Sequence, residues 1–519
     1  MSSHGDGSPH LVHQGTESIV EVDVAKREDV YYLRKHAVGL LGVLFLVVTG
    51  SAPISAMLFN TPISVGYGNG PKGTPAGFIV ATVVLAIFSV AYVEMARKKT
   101  TAGGFYSYIS YGMGREMGMA TGLTSVLAYS VFEASLCGGF AYFLNYDLAT
   151  YFHWNVAWPW LALFMVALIG VLAYFEVRLS ARVLGVTLVC EVVALLIFDV
   201  AVLFQGGNNM TAAPLNPVNA FKGFPAVGGL AAGAAGIGLF FAFWSWVGFE
   251  MAPNYAEESK DPKRIVPLAL YISVIGLGIF YTVTSFAPIV AYHSFAQAIG
   301  VAQKDASDFY FLPAKEFAGV WLKGVLSILI VTGSFACGMA FHNTTARYMY
   351  SLGREGVLPR ALGKTHSTHA SPHIASVTQS IIAGLIVLAF ALFAGSNDPT
   401  SQAYLQLYGL MAVMGVIVIL VVQALVSIAI IMYFLRKDRS GVHWWKTVLA
   451  PIIAFVTQAY IVYLLFKNIT FLGGGYSLAN WLGPIDLAVF LIGLGYAFYL
   501  KSRNPEKYAT IGRMIHEGL

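Results

Sequence analysis

Long apolar segments separated by short polar connections run along most of the chain. Twelve of these segments have about 20 residues or more, the length that an α-helix needs to cross a bilayer. They cover residues 39–63, 75–96, 119–146, 157–175, 184–205, 231–253, 265–291, 321–350, 374–394, 402–435, 447–467 and 481–500. The pattern therefore predicts an all-α integral membrane protein with twelve transmembrane helices, numbered spans 1 to 12 in chain order.

Composition supports a membrane protein over a soluble one. Hydrophobic residues make up 57% of the 519 positions and charged residues 11%, whereas soluble domains carry about 25% charged residues. Residues 1–30 are polar and lack the apolar stretch of a signal peptide, so we expect a disordered cytoplasmic N-terminal tail there. Residues 501–519 are expected to form a cytoplasmic C-terminal tail.

The basic residues indicate which side of the membrane each connection faces, because cytoplasmic loops are enriched in Lys and Arg. An even number of spans places both ends on one side, and 25 of the 31 Lys and Arg residues fall on that side. We therefore expect a multi-pass protein of the cytoplasmic membrane with both termini in the cytoplasm. The longest connection on the opposite side, residues 292–320, has room for short helices.

Span 1 carries a proline among small residues, in the sequence TGSAPISA at positions 49–56. Pro53 has no N–H group and its ring clashes with the preceding turn, so the helix is expected to kink or unwind between Gly50 and Pro53. Irregular backbone at membrane depth is tolerated only where it lines a cavity or is covered by protein. We therefore expect a cavity beside this interruption.

Span 6 carries a second interruption, in the sequence SWVGFE at positions 245–250. A carboxyl group at membrane depth, here Glu250, is costly and is usually functional or closely partnered. Corresponding interruptions in two halves of a membrane protein indicate an inverted repeat with a substrate site between the halves. Spans 1 and 6 are five spans apart, which is the separation expected for corresponding helices of two five-span halves.

Three motifs resemble those of the amino acid–polyamine–organocation family of permeases. Residues 248–267, GFEMAPNYAEESKDPKRIVP, are similar to the family's GxE and E-x-x-x-[ND]-P-[KR]-x-[IV]-P pattern. Residues 101–108, TAGGFYSY, resemble the AGG-x-Y-x-Y stretch after span 2, and residues 347–359, RYMYSLGREGVLP, resemble the family's pattern after span 8. The motifs occur in the family's order, and the resemblance covers about residues 35–440.

This resemblance implies the LeuT-type fold, with a 5+5 inverted repeat, broken helices 1 and 6, and two further C-terminal helices. Residues 31–436 would form the transport core and residues 437–500 spans 11 and 12. It also implies a secondary active transporter that moves an amino acid by alternating access, coupled to protons or working by exchange. An organic amine or polyamine permease of the same fold is the alternative, and an ion channel or a membrane sensor is the alternative of a different class.

The resemblance also implies a substrate site at the two interruptions. Backbone carbonyls near Ala52 and Val247 would accept hydrogen bonds from an ammonium group, and the N–H and hydroxyl groups near Ser55 would bind a carboxylate. The chain departs from the family's G-x-G pattern in span 1, where Ser55 and Ala56 stand, which leaves open whether a carboxylate is required. The candidate substrate-binding residues are Gly50, Ser51, Ala52, Ser55, Trp244, Ser245, Val247, Gly248 and Phe341.

Two of these candidates are aromatic. Trp244 and Phe341 match aromatic residues that enclose the substrate in an exchanger of this family, and Trp246 competes with Trp244 for that role.

Acidic residues within the spans are candidates for proton coupling or gating, because burial favours the neutral form and lets a carboxyl group carry a proton. Glu191 stands where some family members have a lysine in place of a sodium ion. Glu250 matches an acid implicated in proton-dependent gating, and Glu133 is expected to approach the substrate from span 3.

We expect no metal, no cofactor and no enzyme activity. The expected partners are a small amino acid or amine, protons and the lipid bilayer, without nucleic acid.

Overall fold

A computed structural model describes residues 38–99, 103–175, 178–226, 228–256, 259–366, 371–393, 399–438, 441–469 and 476–512. The side chains of residues 178–184 and 399–401 are outside this description. The predicted N-terminal tail, the start of the motif at 101–108, and Glu257 and Glu258 of the motif at 248–267 also lie outside the described residues.

Twelve apolar helices are present in the described part of the chain, and eleven of them are long enough by themselves to cross a membrane. They are Leu40–Tyr67, Gly70–Lys98, Arg115–Phe152, Trp158–Tyr174, Arg178–Phe204, Ala235–Tyr255, Pro262–Ala291, Val320–Arg354, His373–Phe393, Gln402–Arg436, Trp445–Lys467 and Ala479–Arg503. The helix of span 4, with 17 residues, is the shorter one. The twelve predicted spans are confirmed, although span 3 runs several residues past both ends predicted for it.

Short helices cap the bundle at both ends. The connection between spans 7 and 8 forms two of them, as its length predicted, and this end of the bundle is called the loop face. The opposite end, where span 1 begins and span 12 ends, is called the terminal face. The short helices are Gly104–Met113, Ala213–Leu215, Pro217–Phe221, Phe295–Lys304, Asp308–Ala318, Arg360–Gly363 and Pro505–Thr510.

Spans 1 and 6 are both interrupted, as the sequence predicted. In span 1, helix Leu40–Ser51 ends at Ala52, whose φ of 39° is left-handed, and the chain continues through Pro53–Ser55, Ala56–Asn60 and Thr61–Tyr67. In span 6, helix Ala235–Trp244 is followed by an irregular turn and by the 3₁₀ helix Phe249–Tyr255. Each interruption exposes backbone groups that an intact helix would pair internally.

The interruption of span 1 and nearly all described residues of span 6 lie inside the bundle, whereas spans 5, 9, 11 and 12 form much of its apolar outer wall. Described residues of span 6 are almost all buried, and span 3 packs against spans 4, 8, 10 and 12. Large apolar side chains point outward from the peripheral helices; Phe204 and Phe393 are 88% and 89% exposed. An apolar exterior around a more polar interior is the arrangement that a lipid environment requires.

Candidate functional site

The two interruptions touch each other near the middle of the bundle. Gly248 has a φ of 120°, and a Cβ atom built on it would lie 2.6 Å from the carbonyl carbon of Gly50 and 2.8 Å from the nitrogen of Ser51. Only glycine combines this conformation with so close an approach of two backbones. The contact therefore places the exposed backbone groups of spans 1 and 6 on either side of one small space.

A cavity of about 20 Å³ lies at this junction. Its wall is formed by spans 1, 3, 6, 8 and 10, and none of the described residues that line it has a charged side chain. The lining residues are Gly50, Ser51, Ala52, Ser55, Ala56, Asn60, Leu136, Trp244, Ser245, Val247, Cys337, Phe341 and Tyr408. A volume of this size holds about one water molecule, so a larger ligand enters only if lining side chains move.

Most of the candidate substrate-binding residues meet at this cavity. All of them line it except Gly248, which lies behind the wall, where its backbone contacts Gly50. Trp246 does not line the cavity: it is fully buried and packs against Phe78 and Tyr281. The structure thus separates the two tryptophans, and Trp244 is the one that faces the space.

Sequence reasoning missed five lining residues: Ala56, Asn60, Leu136, Cys337 and Tyr408. Asn60 carried a usable signal, because a polar amide inside a span usually faces the bundle interior. Tyr408 stands near the start of span 10 among other polar residues, and periodicity does not show which way it faces.

A chain of hydrogen bonds closes the cavity toward the loop face. Trp244 Nε1 donates to the Tyr408 hydroxyl at 2.8 Å, and that hydroxyl donates to Asn60 Oδ1. Asn60 Nδ2 in turn donates to Ser245 Oγ at 2.8 Å. These bonds join spans 1, 6 and 10 on the loop-face side of the interruptions. The same polar atoms would become available to a ligand if the chain of bonds opened.

Trp244 and Phe341 form the aromatic part of the cavity wall, and Phe132 packs behind it. The ring of Phe341 stacks parallel to the indole, with centroids 6.1 Å apart and an interplanar angle of 11°. The ring of Phe132 packs against the same indole, with ring centroids 4.4 Å apart. Stacked rings of this kind provide an apolar surface with a fixed orientation.

Some backbone and hydroxyl groups at the interruption of span 1 have hydrogen-bond partners, and one does not. Tyr281 donates to the Ser51 carbonyl at 3.0 Å, and the thiol of Cys337 donates to the Gly50 carbonyl at 3.3 Å. Ser55 Oγ is buried and has no hydrogen-bond partner among the described residues. Buried polar atoms are nearly always paired, so Ser55 is a free polar contact facing the cavity.

Glu250 holds the interruption of span 6 in shape. One carboxyl oxygen accepts from the N–H of Gly248 at 2.9 Å, and the other accepts from the Tyr129 hydroxyl of span 3, also at 2.9 Å. Tyr92 of span 2 donates to the Glu250 carbonyl at 3.0 Å. The carboxyl group is buried on the terminal side of the cavity and links the 3₁₀ helix of span 6 to span 3.

Glu191 lies between the interruption of span 1 and span 8. Its carboxyl group is 2% exposed and accepts a hydrogen bond from the backbone of Ile54. A Cβ atom on Gly333 of span 8 would lie 2.6 Å from its Oε1, so glycine there makes room for the carboxyl group. Glu191 therefore contacts the irregular backbone of span 1 without lining the cavity itself.

Glu133 has a different position from the one expected. It does not line the cavity; its carboxyl group lies 3.0 Å from His342 Nδ1 and accepts from Gln379 Nε2 at 2.7 Å. The other nitrogen of His342 is 2.8 Å from the hydroxyl of Ser376. This buried network joins spans 3, 8 and 9 behind Phe341, which is adjacent to His342, and fixes that part of the cavity wall.

Contacts at the terminal face join the start of span 1 to the connection after span 6. The N–H of Lys260 donates to the Val38 carbonyl at 3.0 Å, and Val38 also forms a bridge with Ser259. Arg347 of span 8 lies over the ring of Tyr255 at 5.1 Å. These contacts fall within two of the motifs that the sequence singled out.

The C-terminal segment docks on the same face. The N–H of Gly512 donates to the Tyr106 hydroxyl at 2.7 Å, and Tyr106 donates to the carboxyl group of Glu355. Thr510 Oγ1 donates to the Glu355 carbonyl at 2.9 Å. Burial raises the pKa of Glu355 to about 7, because a charged carboxylate is disfavoured away from water.

Comparisons with known proteins agree with this architecture. The family model described as "Amino acid permease" matches residues 38–490. The chain is 25% identical to the branched-chain amino acid permease BcaP of Bacillus subtilis, over 67% of this chain and 72% of the relative. It is 25% identical to the low-affinity putrescine importer PlaP of Escherichia coli K12, over 66% and 73%. It is 22% identical to an aspartate-proton symporter of Bacillus subtilis, over 91% and 85%.

Proposed function

The chain belongs to the amino acid permease family, and from this premise we propose that it is a proton-coupled carrier of an amino acid with an uncharged side chain. Membership of this family makes it a transporter with twelve helices and the LeuT-type fold. The cavity at the two interruptions is the proposed substrate site, and the movement of spans 1 and 6 around it is the proposed alternating-access step.

The observation that carries the choice of substrate is that no described residue of the cavity wall has a charged side chain. The ammonium group of an amino acid would be held by the backbone carbonyls near Ala52 and Val247, and its carboxylate by Ser55 and the neighbouring N–H groups. Phe341, Leu136 and Trp244 would face an apolar side chain. A charged side chain would have no partner of opposite sign there, which is costly in a buried site.

An amine such as putrescine is the second candidate, because one relative is a putrescine importer. A diamine has two ammonium groups and no carboxylate. The backbone carbonyls would bind one ammonium group, but the described lining residues offer no carboxylate to the other. The amino acid is therefore favoured.

We assign the coupling of transport to proton movement to Glu191 and Glu250. Glu191 contacts span 1 through Ile54, and Glu250 contacts the interruption of span 6 through Gly248. A change of protonation at either carboxyl group would therefore alter its contact with the backbone that is proposed to move. Glu133 is assigned a positioning role behind Phe341. One relative is an aspartate-proton symporter, which supports coupling to protons over pure exchange.

The distribution of basic residues supports an orientation in the cytoplasmic membrane with the terminal face in the cytoplasm. In this orientation, the Trp244–Tyr408 bond closes the external side of the cavity, and Glu250 lies on its cytoplasmic side. Residues 31–436 would then act as the transport core, with spans 11 and 12 outside it.

The test is a thermal-shift screen of the purified protein with amino acids of each charge class and with putrescine, followed by uptake of the best ligand into proteoliposomes. We expect stabilisation by a neutral amino acid and saturable uptake. Stabilisation by putrescine alone would support the second candidate. Flux that rises linearly with concentration would contradict a carrier.

A further inference from the structure

Asp199 is a buried carboxyl group of span 5 that the proposed mechanism does not use. It stands eight residues after Glu191, about two helical turns closer to the loop face, and is 2% exposed. Its Oδ2 is 2.6 Å from the hydroxyl of Thr284 in span 7. Its Oδ1 is buried and has no hydrogen-bond partner among the described residues.

The elements packed around this part of span 5 are spans 1, 7 and 8 and the short helix Asp308–Ala318. The short helix contributes Tyr310, whose hydroxyl donates to the Thr284 carbonyl at 3.0 Å and interacts with Thr61 of span 1. Tyr292, at the end of span 7, also interacts with Tyr310. Tyr281 of span 7 and Cys337 of span 8 are titratable groups that lie next to Glu191. All of these groups are acids, and no described ion pair includes Asp199.

A charged Asp199 would be poorly compensated in this arrangement. One hydroxyl contact replaces only part of the hydration of a carboxylate, and an unpaired buried charge costs several kcal/mol. The neutral acid avoids this cost and fits the closed packing. Spans 5 and 7 and the short helix can therefore pack together over Asp199 when it holds a proton, and separating them would admit water to the charged form.

We propose that Asp199 is a further proton-binding site, which takes a proton from solution at the loop face when that face closes. In this step the carboxylate binds H⁺ from the loop-face solution and becomes the acid, and opening reverses the reaction. The inference rests on the proposed function, because it assumes that the loop face opens and closes during transport. It adds a proton that is bound on closure, separate from the groups assigned to coupling.

The first test is infrared difference spectroscopy of the purified full-length protein between low and high pH. Asp199→Asn should lose one carbonyl band of a protonated carboxylic acid. The matched control is Asp486→Asn, which removes another buried carboxyl group, 6% exposed, from span 12. Its spectrum should keep the band assigned to Asp199. If Asp199→Asn showed the same carboxylic acid bands as the wild type, the proposal would be overturned.

The second test is the dependence of apparent substrate affinity on the pH of the loop-face solution, in proteoliposomes without a pH gradient. If closure takes up one proton, the apparent affinity for substrate falls by at most tenfold for each unit by which the pH rises. Asp199→Asn should flatten this dependence, whereas Asp199→Glu and Asp486→Asn should keep it. An unchanged dependence in Asp199→Asn would contradict the proposal.

The two proposals fail in different ways. If the wild-type protein did not accumulate substrate in response to a pH gradient, coupling through Glu191 and Glu250 would be refuted. The band and the pH dependence of affinity would still report on Asp199.

Discussion

The indole nitrogen of Trp244 donates a hydrogen bond of 2.8 Å to the hydroxyl of Tyr408. This bond joins span 6 to span 10 across the loop-face side of the cavity. A ligand that enters from this face must pass the point where the two side chains meet. The bond is therefore expected to contribute to holding the cavity closed.

Replacing Tyr408 with Phe removes the acceptor for Trp244 and the donor for Asn60 while keeping the ring. Loss of a net hydrogen-bond contribution of about 1 kcal/mol should weaken the apparent affinity about fivefold. Equilibrium binding of a radiolabelled substrate to the purified protein measures this. Unchanged affinity would mean that the bond does not hold the closed state.

Replacing Trp244 with Ala removes the bond and the stacking surface on Phe341, so we expect apparent affinity to fall roughly tenfold or more. The control is Trp160→Ala, because Trp160 is 70% exposed on the apolar exterior. A normal half-saturation concentration in Trp244→Ala, measured by uptake, would place the substrate elsewhere.

Gly248→Ala should prevent the contact between the two interruptions. Its Cβ atom would lie 2.6 Å from the carbonyl carbon of Gly50, on a residue whose φ is 120°, so the backbone must shift or strain. We expect uptake to be lost and the thermal unfolding midpoint to fall. Gly276→Ala in span 7 is the control, since no atom of the described residues lies within 4 Å of the added atom. Equal behaviour of the two variants would contradict the close approach.

Tyr129→Phe tests the link between Glu250 and span 3. The variant leaves one oxygen of Glu250 without its 2.9 Å donor, and leaving a buried carboxyl oxygen unpaired costs about 1–3 kcal/mol. If the link holds the terminal face closed, modification of a cysteine introduced at Ala252 by a water-soluble thiol reagent should become faster. The same cysteine in an otherwise unchanged protein is the reference, and equal rates would argue against a gating role.

Glu355 gives the docking of the C-terminal segment a pH dependence. Its pKa in the docked state is about 7 against an ordinary value of 4.5, so the docked state binds more protons than the released state. Docking is thus fully stabilised below the ordinary pKa, and this contribution, on the order of 2 kcal/mol, is lost as pH rises through about 7.

Trypsin cleavage after Lys507 measures this release. The ratio of wild-type to Glu355→Gln cleavage rates should rise between about pH 6 and about pH 8, because the variant stays neutral. Taking the ratio removes the pH dependence of the protease. Glu116→Gln, which removes a surface ion pair with Lys501, should behave like the wild type. A constant ratio for Glu355→Gln would contradict the assignment.

The sequence was sufficient to predict the spans and both interruptions, because their signals are local. Twenty apolar residues predict a span, Pro53 predicts irregular backbone, and the glycine at 248 permits it. The structure adds that the irregular residue in span 1 is Ala52, with positive φ. The sequence placed the interruption between Gly50 and Pro53 without identifying the residue that adopts this conformation.

The facing of individual side chains was harder to predict. Glu133 and Phe341 both lie in apolar helices, where a single sequence gives weak information about which side faces the interior. The pairing of Glu133 with His342 joins residues that are 209 positions apart, and no local pattern encodes such a contact. Tyr408 was missed for the same reason, since its partners come from other spans, whereas the polar amide of Asn60 gave a signal that could have been used.

The most direct test of the proposed function is accumulation of the identified amino acid in proteoliposomes under an imposed pH gradient, in the wild type and in Glu191→Gln. We predict that the wild type concentrates substrate on the alkaline side and that Glu191→Gln does not, while both exchange internal for external substrate. Equal accumulation in the two proteins would contradict the role of Glu191. Absence of gradient-driven accumulation in the wild type would contradict proton coupling.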